Sequence, residues 1–383
     1  MTTTTQIHHE TLGHYAYNAV QKHFQKSTKY TTQILKDVDP EPLHQMRVGL
    51  RRLRTAIQVF DPALRLPKTF KHIQKIARCL GDVRDLDVLL DTLETQYLPA
   101  LEDNERDTLK FAIKRLQRQR RLNFGRVEKM LGGSTYSQFR QRFKTWLHAP
   151  VYDAIAPMSI QLVLPDLLLP LVSHLLLHPG WVIEPESSGL EATEGHADGG
   201  ANDSETSGAA MNEEAINTWL DEHGTVLHDL RKHIKRVRYQ AELFTELYDS
   251  PYQSWVDELS TIQYLLGQLQ DCWVLDQVFK AEIGKNWHTQ MPTLAQQLRQ
   301  ERAATWKQWQ PVQQTYLDSG FRDRLRQLVM TPVEKAIDSK TNTQADGSDD
   351  GKTPSTSRKK RAPSKKRATS NHTKTSHSHP RNR

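Results

Sequence analysis

HQMRVGLRRLR, residues 44–54, packs one histidine and four arginines into three turns of chain, and HDLRKHIKRVR, residues 228–238, repeats the pattern 184 residues later. At about 100° per residue, His44, Arg47, Arg51 and Arg54 fall within an arc of about 80°, with Arg52 on its flank. Met46, Leu50, Leu53, Ile57 and Phe60 gather on the other side. In the second stretch His228, Arg231, Lys235 and Arg238 take the same four positions, and Leu230, Ile234, Val237, Ala241 and Phe244 form the apolar face. Arg236 matches Arg52, while Lys232 adds a charge that the first stretch lacks. Each stretch therefore predicts a helix with one face for a core and a stripe of cations beside it.

Other segments echo in the same order. LGDVRDLDVL (80–89) is answered by LGQLQDCWVL (266–275), and QRRLNF (119–124) and FRQRF (139–143) by ERAATW (301–306) and FRDRL (321–325). Offsets of 182 to 186 residues throughout predict two similar helical bundles, one in each half of the chain. Helical periodicity dominates over strand alternation. Helices are expected over 10–37, 41–60, 68–96, 101–131, 136–148 and 154–178, then over 212–248, 252–281, 293–317 and 320–337. Asp39 and Pro40 mark the start of the second helix as cap and first-turn residue. Residues 185–214, rich in Gly, Ser and acid, predict a flexible linker between the halves, and the low-complexity end from about 338 predicts disorder.

The net charge of +7 is unevenly placed. Eleven Lys or Arg and no acid lie between Lys352 and Arg383, so residues 1–351 carry a net −4. Any anion site in the folded part must therefore come from local clustering. Cys79 and Cys272 stand far apart in no metal-type spacing, which fits a reduced, cytoplasmic chain. MTTTTQIHHE at the N-terminus lacks a signal-peptide pattern. LVLPDLLLPLVSHLLL (162–177) is too short for a membrane span and predicts a buried helix.

Like charges at i,i+4 and i,i+3 destabilise a helix unless something neutralises them. Arg47, Arg51 and Arg54 are such neighbours, and Arg231, Lys235 and Arg238 repeat the arrangement. Asp85 and Asp271, the one acid shared by the LG echoes, supply a single carboxylate per half. The remaining charge calls for an external anion carrying several phosphates. A dication among guanidinium groups would be repelled, so a metal site is not expected. No phosphate loop, zinc-binding H-E-x-x-H or paired nucleophile and base supports catalysis, and no cofactor is implied.

H-x-x-R-x-x-x-R-R-L-R at 44–54 and L-G-x-x-R-D-x-D-V at 80–88, with their weaker copies at 228–238 and 266–274, resemble the CHAD (conserved histidine α-helical) domain. The resemblance covers about residues 8–335. It implies an all-α fold of two four-helix bundles related by a pseudo-twofold axis, with first half 8–180, acidic linker 184–211 and second half 212–335, followed by a basic tail 338–383. It also implies binding of inorganic polyphosphate in a shared basic groove, and association with polyphosphate granules. The binding residues carried over are His44, Arg47, Arg51, Arg52, Arg54 and Arg84 in the first copy. In the second they are His228, Arg231, Lys232, Lys235, Arg236 and Arg238. Gln270 stands where the second copy would need an arginine matching Arg84, and Trp273 stands for Asp87. The alternatives are a nucleic-acid binder using the same helices and SRKKRAPSKKR (357–367), and an enzyme or metal-binding protein of phosphate metabolism.

Overall fold

The structure, a computed structural model, describes residues 10–66, 70–183 and 212–333. The expected linker at 184–211 and the tail from 338 lie outside the described residues. In chain order the helices are α1 (Leu12–Thr28), α2 (Thr31–Ile34), α3 (Glu41–Val59), α4 (Phe70–Thr92), α5 (Asp103–Leu131), α6 (Ser134–His148) and α7 (Ile160–Leu176). After the linker come α8 (Glu213–Ala241), α9 (Ser250–Glu282), α10 (Trp287–Gln290), α11 (Pro292–Leu317) and α12 (Ser319–Met330). Among the described residues the only β pairing is two isolated bridges, so the all-α expectation holds.

Several starts follow local chemistry. Asp39 accepts a hydrogen bond from the Glu41 amide at 2.8 Å, and Asn212 and Asp318 cap α8 and α12 through the amides of Ala215 and Phe321. The helix expected over 10–37 is interrupted after Thr28, and Asp37 adopts a left-handed φ of 48°. The helix expected from 154 begins at Ile160. Backbone groups of 156–160 are used instead by the start of α1, where Leu12 and Gly13 donate to Met158 and Ala156 and Ile160 donates to Glu10. The buried-helix expectation for 162–177 holds for one face only. Leu164, Leu168, Val172 and Leu175 are buried in α7, whereas Leu162 and Leu177 are exposed. Among the described residues, no helix is long and apolar enough to cross a membrane.

α1 lies along α3 so closely that a Cβ at Gly49 would come 2.7 Å from the Ser27 backbone nitrogen. α8 pairs with α9, α4 with α5, α9 with α11, and α7 with both α8 and α12. The apolar residues form two separate clusters. The larger contains the apolar faces of α3 and α8. The smaller joins the end of α4 and the start of α5 to the end of α9 and the start of α11. On α4 the larger cluster stops at Val83 and the smaller begins at Leu90; on α9 the change falls between Leu269 and Cys272. On α5 it falls between Leu116 and Phe124, and on α11 between Leu298 and Ala303. A polar belt therefore runs between the two clusters, holding Arg84, Asp85 and Asp87 of α4, Arg120 of α5, Gln270 of α9 and Arg302 of α11.

The smaller cluster is tied across the chain by Glu105. Its carboxylate is 3% exposed and accepts the Thr293 and Leu294 amides at 3.0 and 3.2 Å, capping α11 from α5. Removing it leaves the buried Leu294 N–H and the part-buried Thr293 N–H unpaired. Glu105→Ala is expected to lower stability by about 1–3 kcal/mol in urea unfolding. Gly125, where a Cβ would meet nothing within 4 Å, offers the opposite control. Gly125→Ala should raise stability by about 0.5–1 kcal/mol.

Candidate functional site

The apolar faces of α3 and α8 sit in the larger core, with Met46, Leu50 and Leu53 and then Leu230, Ile234 and Val237 buried. That burial fixes how each helix is rotated and turns both cationic stripes toward one another. The helices converge at their C-terminal ends, where Phe60 and Phe244 meet edge to face at 5.8 Å. One step earlier the buried Tyr239 of α8 lies between two arginines. The guanidinium of Arg51 is 4.1 Å from its ring centroid and that of Arg238 is 4.7 Å away, so the ring's negative face offsets two like charges. Glu242 completes this clamp, lying 3.5 Å from both Arg52 of α3 and Arg238 of α8.

Lys235 marks the middle of the convergence. Burial, followed by Arg51, Arg231 and Arg47 around it, lowers its ammonium from the ordinary 10.5 to about 8, with Asp85 acting in the opposite direction. Burial lowers Arg51 and Arg54 as well, and Arg47 adds to the effect on Arg54. His44 is lowered by burial and then by Arg84, with Arg51 and Arg47 contributing and Glu41 opposing. His228 is lowered by burial, Lys232 and Arg231, while a hydrogen bond with Gln270 and the nearby Asp229 oppose. Nε of Arg51, Nε of Arg231 and Nδ1 of His228 are buried without a hydrogen-bond partner. The unpartnered guanidinium N–H groups of Arg51 and Arg231 beside crowded cations form a cradle matched to anionic oxygen.

The structure thus brings together His44, Arg47, Arg51, Arg54, Arg84, His228, Arg231 and Lys235. Arg52 and Arg238 belong to the Tyr239–Glu242 clamp, and Arg238 also donates to Ser260 Oγ at 2.6 Å. Lys232, on the rim, is more than half exposed and pairs with Asp229 at 2.8 Å. Arg236 is exposed to solvent. Asp85 pairs with Arg47 at 3.2 Å, as its place in the echo suggested. Its counterpart Asp271 is raised by desolvation, with Arg231 drawing it back.

Sequence reasoning passed over the glycines of the two LG motifs. A Cβ at Gly81 would overlap Nη1 of Arg47, and one at Gly267 would lie 3.2 Å from Nη2 of Arg231. Each glycine of one helix seats the matching arginine of its neighbour. The signal was present in the repeated LG, but its meaning depends on which helix packs above it.

One further group has ligand atoms close enough to suggest a metal: His178, Asp229 and His233. The Gly180 amide donates to His178 Nδ1 at 3.0 Å, which places the imidazole proton on Nε2 facing Asp229 at 3.2 Å. That ring nitrogen is a donor and not a metal ligand. Lys232, and then His178, hold the Asp229 carboxyl down at about 2, so the group is an ion-paired bracket between α8 and the turn after α7.

Residues 18–280 match the family model described as the CHAD domain. The solved CHAD domain from the plant Ricinus communis is similar at 20% identity and a TM-score of 0.52, covering 86% of this chain and 94% of that one. PptA from Streptomyces chartreusis is similar at 14% identity and a TM-score of 0.52, covering 79% of this chain and 99% of that one. No curated protein sequence matches the chain.

Gly81→Ala should expel the Arg47 guanidinium from its seat, because the obstructing atom is the end of a flexible side chain. The melting temperature is expected to stay within about 2 °C of the parent, since Ala also favours the helix by about 0.5–1 kcal/mol. Calorimetric titration with inorganic triphosphate should show severalfold weaker binding.

Proposed function

Because this chain belongs to the CHAD domain family, we propose that it binds inorganic polyphosphate along the groove between α3 and α8. The observation that carries this is Lys235, partly buried among Arg51, Arg231 and Arg47 with only part of the charge answered by protein carboxylates. A phosphate polymer supplies one negative charge at each repeat and oxygens for forked arginine contacts. His44 to Arg54 span ten residues, or about 15 Å of helix at 1.5 Å per residue, so each stripe accommodates several phosphates. The role is binding, with no group assigned to chemistry, and attachment to polyphosphate granules is the cellular setting it suggests.

Duplex DNA is the natural competitor to test, because any phosphate backbone feels the same charge. The contacts lining the stripe are cations and imidazoles, while Tyr239, the aromatic ring among them, is buried and already covered by Arg51 and Arg238. That arrangement leaves it no face for a base.

A chain ending at residue 337 should keep salt-sensitive polyphosphate binding and prefer it to duplex DNA in competition. Loss of affinity with the tail would overturn the groove reading. Arg51→Glu combined with Lys235→Glu is expected to weaken binding by about a hundredfold or more, given about 1.5–3 kcal/mol for each charged hydrogen bond. Two charge reversals in the tail should cost far less.

The groove also predicts a pH profile. Lys235 is about half neutral near pH 8 in the free protein, and a bound polyanion favours its charged form. Binding should therefore take up a proton near pH 8 and weaken as pH rises from 7 to 9, with Lys235→Arg flattening that limb. His44 and His228, both lowered below 6.5, are neutral at pH 7, so affinity should rise again as pH falls below 6.5. For folding the sign reverses. A cation lowered in the folded state destabilises while protonated, so the free protein should gain stability as pH rises through the Lys235 range.

A further inference from the structure

The two echoes diverge at the end of the stripes. In the first, Arg120 of α5 donates Nε to Asp87 at 2.9 Å and pairs with Asp37 as well, so two carboxylates hold one guanidinium. In the second, Arg302 of α11 stands at the echo position and pairs with Asp221, the counterpart of Asp37, at 2.7 Å. The counterpart of Asp87 is Trp273, 51% exposed, and the counterpart of Arg84 is Gln270, hydrogen-bonded to His228. A carboxylate has given way to an indole, and Arg302 keeps one acid where Arg120 has two.

The exchange borders a pocket of about 370 Å³ between α8, α9 and α11. Leu227, Leu266 and Leu269 form an apolar floor, Trp273 stands at the side, and His228, Lys232 and Arg302 supply cations or donors. Gly224 widens the opening, since a Cβ there would meet nothing within 4 Å. His228 Nδ1 is buried and unpartnered at this site. A ring-free phosphate chain has no use for an apolar floor and an exposed indole. A flat ring carrying phosphates uses both, stacking on the indole while its phosphates reach the cations.

We propose that this pocket binds a free nucleotide, its base against Trp273 and its phosphates on Arg302, Lys232 and His228. The site lies at the end of the α8 stripe and shares His228 and Lys232 with it; what sets it apart from the polyphosphate reading, which rests on Lys235 and its arginines, is the indole of Trp273 and the apolar floor. The volume falls within the range of small-ligand pockets and suits one nucleotide.

The test compares ATP with inorganic triphosphate, two ligands of similar charge, by calorimetric titration without divalent metal of the full chain carrying Lys235→Glu, which removes the groove's own affinity for triphosphate. ATP is expected to bind about tenfold or more tightly than triphosphate, the scale of one stacked base. Trp273→Ala should abolish that preference, Trp273→Phe should retain most of it, and Gly224→Leu should block ATP by filling the pocket. Trp273 is exposed and position 224 is open, so these variants should melt like the parent. Equal affinity for the two ligands in that chain overturns the proposal. So does a preference for ATP that survives both Trp273→Ala and Gly224→Leu. Long-chain polyphosphate binding by Trp273→Ala should stay within twofold, so failure of the nucleotide site leaves the groove reading standing, and the reverse holds for Lys235→Glu.

Discussion

The repulsion between two facing rows of cations is the constraint on which the rest of this structure depends. Helices α3 and α8 each carry a stripe that would be unfavourable even on an isolated helix, and the fold points both stripes at each other. Protein groups offset part of the cost. Tyr239 places its ring between Arg51 and Arg238, Glu242 joins Arg52 to Arg238, and Asp85 holds Arg47. Only Asp85 among these acts on Lys235, and it is outweighed by burial and the surrounding arginines, so the lowered ammonium records what remains uncompensated. Stability is being given up at one place, as proteins do where a ligand is meant to complete the structure.

The apolar framework makes that concession tolerable. Hydrophobic burial is non-directional and acts over large areas, whereas the electrostatic cost is confined to a few side chains. Here one core anchors the inner faces of α3 and α8 and a second binds the far ends of α4, α5, α9 and α11. The polar belt between them is gripped from both sides. Glu105, buried and capping α11, ties α5 to α11 across the second cluster.

Much of this was legible beforehand. The fold class followed from periodicity, the cationic stripe on each helix from the wheel positions of His44 to Arg54 and His228 to Arg238, the shared groove from the family resemblance, and a carboxylate near each stripe from the acid common to both echoes. Less visible were the interruptions of helices. The start of α7 gives its backbone hydrogen bonds to the start of α1, a partner more than a hundred residues away. The glycines of the LG motifs were plain in the sequence, yet their purpose depends on an arginine in another helix.

The sequence by itself determined which faces are apolar and which are cationic, because side-chain direction in a helix follows from position along it. It also determined that two such helices exist, because the pattern recurs at nearly one spacing. Tertiary structure alone decided which cations share a site and which are spent on holding it. Arg51 and Arg52 are neighbours in sequence, yet burial turns one toward Lys235 and the other toward Glu242. Periodicity specifies angle about one axis; the distance between two axes is set by what packs behind them.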